Sequence, residues 1–326
     1  MEPVSRLRLL SVAGLLSLAI AVSACSSSPG GGGSPEPSGG GSSIAAEVAS
    51  VDLYSGAPQR FLVGMISADN RFVTFGQVHF AFAYTGTADA PTDPQPGPEA
   101  DAAYVATPAT PSGGDGPRLS LPSEARGIYQ AEGVTFDRAG IWQVTVTADI
   151  RGVGPQSLVS AFAVGERPAL PAPGQPALPT ENLTVDSKDA PIGAIDSRAD
   201  TTGEIPDRNL HEWTIAQAVH EGRPALVVFA TPVYCVSQFC GPVTNAVEAL
   251  SKRYADRAVF IHIEIWRDFQ NNVINKAAAD WLYRNGDLTE PWVYLIGPDG
   301  KILDRWGSLW DPREVARELR RFPKMA

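Results

Sequence analysis

The chain has 326 residues and carries 26 Lys and Arg against 36 Asp and Glu. The net charge of −10 excludes the basic character expected of a nucleic-acid binder or of an electrostatic membrane-docking patch. Its three cysteines and four scattered histidines form no tetrad with zinc-site spacing, so neither a resident metal nor a cofactor is expected.

Arg6 and Arg8 precede a nearly unbroken apolar run from Leu9 to Val22, and the small residues Ser23 and Ala24 lead to Cys25. That is the layout of a secretory signal peptide over residues 1–24. The run is about 14 residues long, too short for a comfortable membrane span, which needs about 20. Val22-Ser23-Ala24-Cys25 resembles a bacterial lipobox, whose cysteine is acylated and becomes the first residue of the mature protein. The resemblance implies lipid on Cys25, attachment to the cell membrane and exposure on its extracytoplasmic side. Two or more acyl chains suffice for stable anchoring where one is marginal. The alternative is an ordinary cleaved signal peptide with an incidental cysteine. Residues 25–44 are rich in Gly, Ser and Pro and cannot form a core. They read as a flexible tether with a root-mean-square span of roughly 20–25 Å.

Residues 45–167 read as an all-β domain. Val78, Phe80, Phe82 and Tyr84 alternate with Gln77, His79, Ala81 and Ala83, and Trp142, Val144 and Val146 alternate with Gln143, Thr145 and Thr147. That two-residue period predicts strands. Leu158–Val164 predicts another, and 127–130 and 133–136 predict two short ones separated by a turn. Residues 85–117, dense in Pro and Gly, read as a long inserted loop. Short strands with Gly and Pro between them suggest an antiparallel sandwich. Tyr129 to Val146 resembles the end of the small immunoglobulin-like modules of bacterial surface proteins, where aromatic residues fill the space between sheets. His79 lies on the more polar face of its strand and reads as a surface residue.

Residues 168–204 open with the Pro-rich run PALPAPGQPALPT and read as a semi-rigid linker. Residues 205–326 alternate helix and strand signals. Helices are expected over 212–221, 241–254, 272–283 and 312–322, and apolar strands over 225–230, 258–265, 292–296 and 302–306. Gly297-Pro298-Asp299-Gly300 fits a hairpin turn between the last two strands, and Asp311 followed by Pro312 fits a helix start. This region holds 15 acidic and 15 basic residues, so the acidic excess lies in residues 25–204, with 20 acidic against 9 basic.

With Cys25 assigned to lipid, Cys235 and Cys240 remain, in a compartment that permits disulfides. The order α, β, α, β, α, β, β, α, with thiols just after the first central strand in VVFATPVYCVSQFCGPV, resembles the thioredoxin-like fold over about 120 residues. Pro291, in LTEPWVYLI, matches the position of the family's cis-proline, and LIGPDGKILDRWGS matches its hairpin. The expected architecture is therefore an all-β immunoglobulin-like sandwich followed by an α/β thioredoxin-like domain.

The resemblance implies thiol–disulfide exchange with protein partners, with Cys235 and Cys240 as the reacting pair and Pro291 shaping a substrate groove. A helix N-terminus stabilises a thiolate, which is the nucleophile in such exchange. The family spaces its cysteines by two residues, whereas here there are four. Tyr234-Cys235 matches the family's Trp-Cys, and Phe239-Cys240-Gly241-Pro242 matches its Trp-Cys-Gly-Pro, so the attacking thiol is open between the two. The strand 225–230 has no acid to serve as a buried proton acceptor, and Glu290 would place negative charge beside the thiols and raise their pKa. Trp292 is the tryptophan near enough to Pro291 to line a groove. Two other uses of the pair are a structural disulfide in a non-catalytic binding or scaffold protein, and a Cu(I) site completed by His262. His262 lies on a strongly apolar strand, where a satisfied buried histidine is expected.

Overall fold

The computed structural model describes residues 43–108, 110–111, 113–235 and 239–325. The expected signal peptide, the lipid site at Cys25 and almost all of the tether lie outside these residues. Among the described residues, no helix is long and apolar enough to cross a membrane.

Nine strands form the first region: β1 (Ile44–Val48), β2 (Pro58–Ser67), β3 (Phe72–Thr74), β4 (Gln77–Gly86), β5 (Pro91–Ala106), β6 (Arg118–Ser120), β7 (Gly127–Thr135), β8 (Gly140–Ile150) and β9 (Gly154–Val164). They make one antiparallel sheet in the order β6-β3-β2-β7-β5-β4-β8-β9, with β1 also on β2. The β4–β8 register sets Phe80 opposite Val146, Phe82 opposite Val144 and Tyr84 opposite Trp142. Because side chains alternate along a strand, this register places both apolar sets on one face. Phe61 of β2 meets that face, with ring centroids 4.8 Å from Phe82 and 4.7 Å from Phe162. An aromatic cluster thus fills the space that the sheet encloses as it curls over on itself and brings β1 to β9.

Two expectations for this region are corrected. Residues 85–117 contain a 16-residue strand, β5, where a loop is expected. Proline lacks an N–H and is tolerated where one edge of a strand is unpaired. β5 pairs with β4 from Pro91 to Ala103, but meets β7 only from Ala103 to Ala106, so its proline-bearing half has one free edge. Residues 127–135 form one strand rather than two. Gly133 adopts φ +70°, and the register against β2 shifts at Gln59–Phe61, which is a bulge and not a chain reversal.

The second region contains α1 (Ala199–Thr202), α2 (Ile215–His220), β10 (Ala225–Ala230), α3 (Cys240–Tyr254), β11 (Val259–Glu264), β12 (Trp266–Asp268), β13 (Val273–Ile274), α4 (Lys276–Leu282), β14 (Tyr283–Arg284), β15 (Asp287–Leu288), β16 (Trp292–Ile296), β17 (Ile302–Gly307) and α5 (Pro312–Leu319). A four-stranded sheet runs β11-β10-β16-β17, with β10 parallel to β11 and the other pairs antiparallel. All six residues of β10 are buried. Leu226, Val228 and Ala230 pack with Val243 and Val247 of α3 and Val315 and Leu319 of α5. Ala225, Val227 and Phe229 pack on the opposite face with Ile215 of α2 and Trp281 of α4. Two covered faces explain why the strand is continuously apolar instead of alternating. Each fully buried Val, Leu or Phe contributes roughly 1.5–3 kcal/mol here.

Helix α2 starts with a capping box of Thr214 and Gln217, and Asp311 caps α5 by accepting the Arg313 amide. Helix α4 begins at Lys276, four residues after its expected start. Asn272 takes φ +54°, which a helix cannot accommodate, and Val273–Ile274 pair with β12 instead.

The segment 168–204, expected as a linker, is packed against the second region. Leu170 and Ala177 join the core beneath β10. Gly174 N–H donates to the Ile302 carbonyl at 2.8 Å, and Ala177 N–H to the Gly300 carbonyl at 2.9 Å. The residues between the prolines keep their amides, and these amides extend the β16–β17 hairpin. The β region is likewise fastened to this one. Arg60 of β2 pairs with Asp304 at 2.7 Å and with Glu314, Arg305 pairs with Asp52 at 2.7 Å, and Leu62, Ile128 and Leu309 form an apolar contact between them. Residues Gly41–Ala326 accordingly form one compact unit.

Candidate functional site

The buried strand β10 ends at Ala230, and the chain passes through Thr231–Cys235 before α3 begins at Cys240. Cys235 and Cys240 form a disulfide with a Cα–Cα distance of 6.0 Å. Residues 236–238 between them lie outside the described residues. Cys240 is fully buried, whereas Cys235 is partly exposed. The Cys240 amide donates to Cys235 Sγ at 3.4 Å. Helix α3 spans 15 residues and has neither a side-chain cap nor an acidic residue in its first turn. The positive end of its dipole therefore faces the Cys235 sulfur without a competing carboxylate from the helix itself.

Sheet register brings the second part of the site to the first. β16 runs antiparallel to β10 and sets Trp292 opposite Phe229. The residues just before Trp292 thus lie beside the residues just after β10. The Glu290–Pro291 peptide bond is cis. A carboxylate oxygen of Glu290 and both cysteine sulfurs lie within 4.8 Å of one another. Glu290 Oε2 is buried and, among the described residues, has no hydrogen-bond partner. Burial, and then the nearby Glu264 carboxylate, push the Glu290 carboxyl up to about 7, although the Thr231 amide donates to it.

This corrects the expectation that Glu290 only burdens the site with negative charge. A carboxyl displaced that far exchanges its proton near neutrality. An acid next to the thiols is absent from β10, as the sequence indicates, but one arrives from the neighbouring strand entry. A second acid, Glu264, ends β11 and is also buried, which raises its pKa. It accepts the Ser197 amide at 2.8 Å on Oε2, and the Ile265 and Trp266 amides at 3.0 and 3.3 Å on Oε1. The sequence signal for Glu264 is the acid that closes the apolar run VFIHIE.

Behind this group lies a second buried cluster, built on Asp196, which sequence reasoning does not single out. Arg198 donates to Asp196 Oδ1 through Nε at 3.0 Å and to Oδ2 through Nη2 at 2.7 Å, and the Arg198 backbone amide donates to Oδ1 at 2.9 Å. His211 Nε2 and His262 Nδ1 lie 3.2 and 3.3 Å from Oδ2. His262 Nε2 donates to the Ala230 carbonyl at 3.1 Å. Burial opposes ionisation of Asp196, but the hydrogen bonds from His211, His262 and Arg198 outweigh it and hold the carboxyl well below the usual range. The ligand atoms of Asp196, His211 and His262 all lie within 4.8 Å of one another. His262 is buried, as expected; its ligand atom groups with Asp196 and His211, and the sulfurs group with Glu290. A hard carboxylate is a poor third ligand for a soft ion such as Cu(I).

Ser197, next to Asp196, accepts the Val233 amide at 3.2 Å, and Tyr234 donates to Asp200 at 2.9 Å while stacking on Phe269 at 4.0 Å. The supposed linker therefore supports the cysteine loop. Trp292 is only 3% exposed, donates to Thr289 Oγ1 at 3.1 Å and lies 5.1 Å from the Arg305 guanidinium, so it belongs to the core and not to a groove wall. His79 is half-exposed and meets Asp101 at 2.9 Å, as a surface strand residue does.

Comparison with protein-family models and with curated proteins returns no match. Among solved structures, a chain described as "AvmM Catalyzes Macrocyclization in Alchivemycin A Biosynthesis" aligns over 39% of this chain and 90% of its own, at 13% identity and a TM-score of 0.23. Similarity at that level supports neither a fold nor an activity for this chain.

Proposed function

We propose that this chain is a thiol–disulfide exchange protein of the thioredoxin-like type, carrying an immunoglobulin-like β module and held by lipid on Cys25 at the extracytoplasmic face of the cell membrane. The observation that carries the reading is the Cys235–Cys240 disulfide at the start of α3, with Cys235 accessible and the cis Glu290–Pro291 bond beside it. Cys235 is the attacking thiol, because it is partly exposed and receives the Cys240 amide. Cys240, buried behind it, is the resolving thiol. The partners are polypeptides bearing disulfides or dithiols, with no nucleic acid and no cofactor.

The trapping experiment is direct. In membranes, Cys240→Ser accumulates mixed disulfides through Cys235, and Cys235→Ser does not. If neither variant traps a partner, exchange is wrong. A potential below about −300 mV would instead mark the bond as structural, the reading favoured by the complete burial of Cys240. The anchor is tested separately. Metabolic labelling with a fatty acid marks the wild-type chain, and the label is lost in Cys25→Ser. Label retained in that variant rejects the lipid assignment.

A further inference from the structure

We propose that Glu290 is the acid–base group of the cysteine pair, taking the proton from Cys240 when the disulfide forms and returning it when the disulfide opens. This rests on the exchange reading above and adds to it the residue that moves the proton.

A buried thiol is a poor nucleophile because burial disfavours its thiolate. Cys240 is fully buried, so its proton needs an acceptor within the protein. Three observations select Glu290. Its carboxylate and both sulfurs lie within 4.8 Å of one another. Its Oε2 is buried and makes no hydrogen bond among the described residues, so that oxygen is uncommitted there. The other nearby acid, Glu264, has both oxygens engaged by the amides of Ser197, Ile265 and Trp266. The groups that face Glu290 are the two sulfurs from the cysteine loop and α3, the Thr231 amide from the end of β10, and Glu264 from β11. Glu264 is the other acid among them, and its carboxylate favours the protonated form of Glu290. The displacement of Glu290 to about 7 agrees with this geometry.

The chemistry balances as follows. The Cys235 thiolate attacks a partner disulfide, forms a Cys235–partner bond and expels one partner thiolate, which takes a proton from water. Cys240 passes its proton to the Glu290 carboxylate, and the new Cys240 thiolate attacks the Cys235 sulfur. The Cys235–partner bond breaks, and the second partner thiolate leaves and is protonated by water. Glu290 then loses its proton to water. The cysteine pair has given up two electrons, and the partner disulfide has become two thiols. In reverse, an incoming thiolate attacks Cys235 Sγ, and protonated Glu290 supplies the proton to Cys240 as its sulfur is expelled.

The test uses the full-length chain in detergent with Cys25→Ser, so that only the pair reports. Opening of the disulfide by dithiothreitol is followed from pH 5 to 9 by rapid alkylation, with rates expressed per reagent thiolate. In the parent protein that rate falls as pH rises through about 7. Glu290→Gln removes this limb and slows opening at pH 6 by about a hundredfold, the lower end of what a positioned acid–base group supplies. Glu290→Asp keeps a limb and recovers part of the rate. Glu264→Gln moves the limb to lower pH without abolishing it, which a purely structural role for Glu290 does not explain. Parent-like rates and pH profile in Glu290→Gln overturn the proposal, as does a limb that stays in place in Glu264→Gln. Failure of the exchange reading looks different, because a small dithiol opens the bond whether or not protein partners exist, and that failure appears only in the trapping experiment.

Discussion

Asp196 and Glu290 are both acids withdrawn from water, yet they end in opposite protonation states. Asp196 receives three N–H groups of Arg198 and faces two histidines, so its charge is fixed. Glu290 receives the Thr231 amide, leaves Oε2 without a partner among the described residues and faces another acid, so it holds a proton up to about pH 7. Burial alone therefore does not say what a buried acid does. The number and sign of its partners decide between a structural charge and a proton carrier. The first cluster supports the cysteine loop through Ser197 and His262, and Glu290 lies within 4.8 Å of the sulfurs.

The comparison predicts contrasting consequences for stability. The largest effect belongs to Asp196→Ala, which takes from the buried His211 and His262 and from Arg198 the carboxylate they share, with Asp207 left on Arg198 at 2.9 Å. Loss of one member of such a cluster costs about 3–5 kcal/mol, to be read from urea denaturation at pH 7. A loss below about 1 kcal/mol would remove the distinction between the two acids.

Glu290→Gln acts in the opposite direction. The folded-state value of about 7 lies above the ordinary 4.5, so the folded chain binds the proton more tightly than the unfolded chain does. Ionised Glu290 therefore opposes folding. Its cost is absent below the ordinary value, grows as pH rises and is complete above about pH 7. With a discount for partial exposure, the variant is expected to be more stable than the parent by about 2 kcal/mol at pH 8. The difference should shrink to nearly nothing at pH 4. Equal differences at the two pH values would mean that the gain has nothing to do with ionisation.

Much of the second region is legible in the sequence because its strands are buried on both faces. The run 225–230 matches β10 in full, and Asp311-Pro312 marks the start of α5. In the first region, β4 and β8 follow from their alternation, since one face of each is buried. β5 escapes this reasoning because its prolines are excluded from strands as a rule and tolerated only at a free edge, which exists once β4 has paired on the other side. The run 168–204 escapes for a related reason. Its buried Leu170 and Ala177 follow no period, and their burial depends on the hairpin against which they lie.

The sequence by itself determined the pair Cys235 and Cys240, their place between a buried strand and a helix, and Pro291 at the entry to the next strand. Those features are local: a strand run, a helix start, a proline. Only the tertiary structure decided which thiol is accessible, that His262 groups with Asp196 and not with the sulfurs, and that the pKa of Glu290, expected beside the thiols, is raised there by burial and by Glu264. Each of these depends on the β10–β16 and β10–β11 registers, which bring together residues tens of positions apart. The protonation state of an acid then follows from its neighbours in space, and the order of residues along the chain does not specify those neighbours.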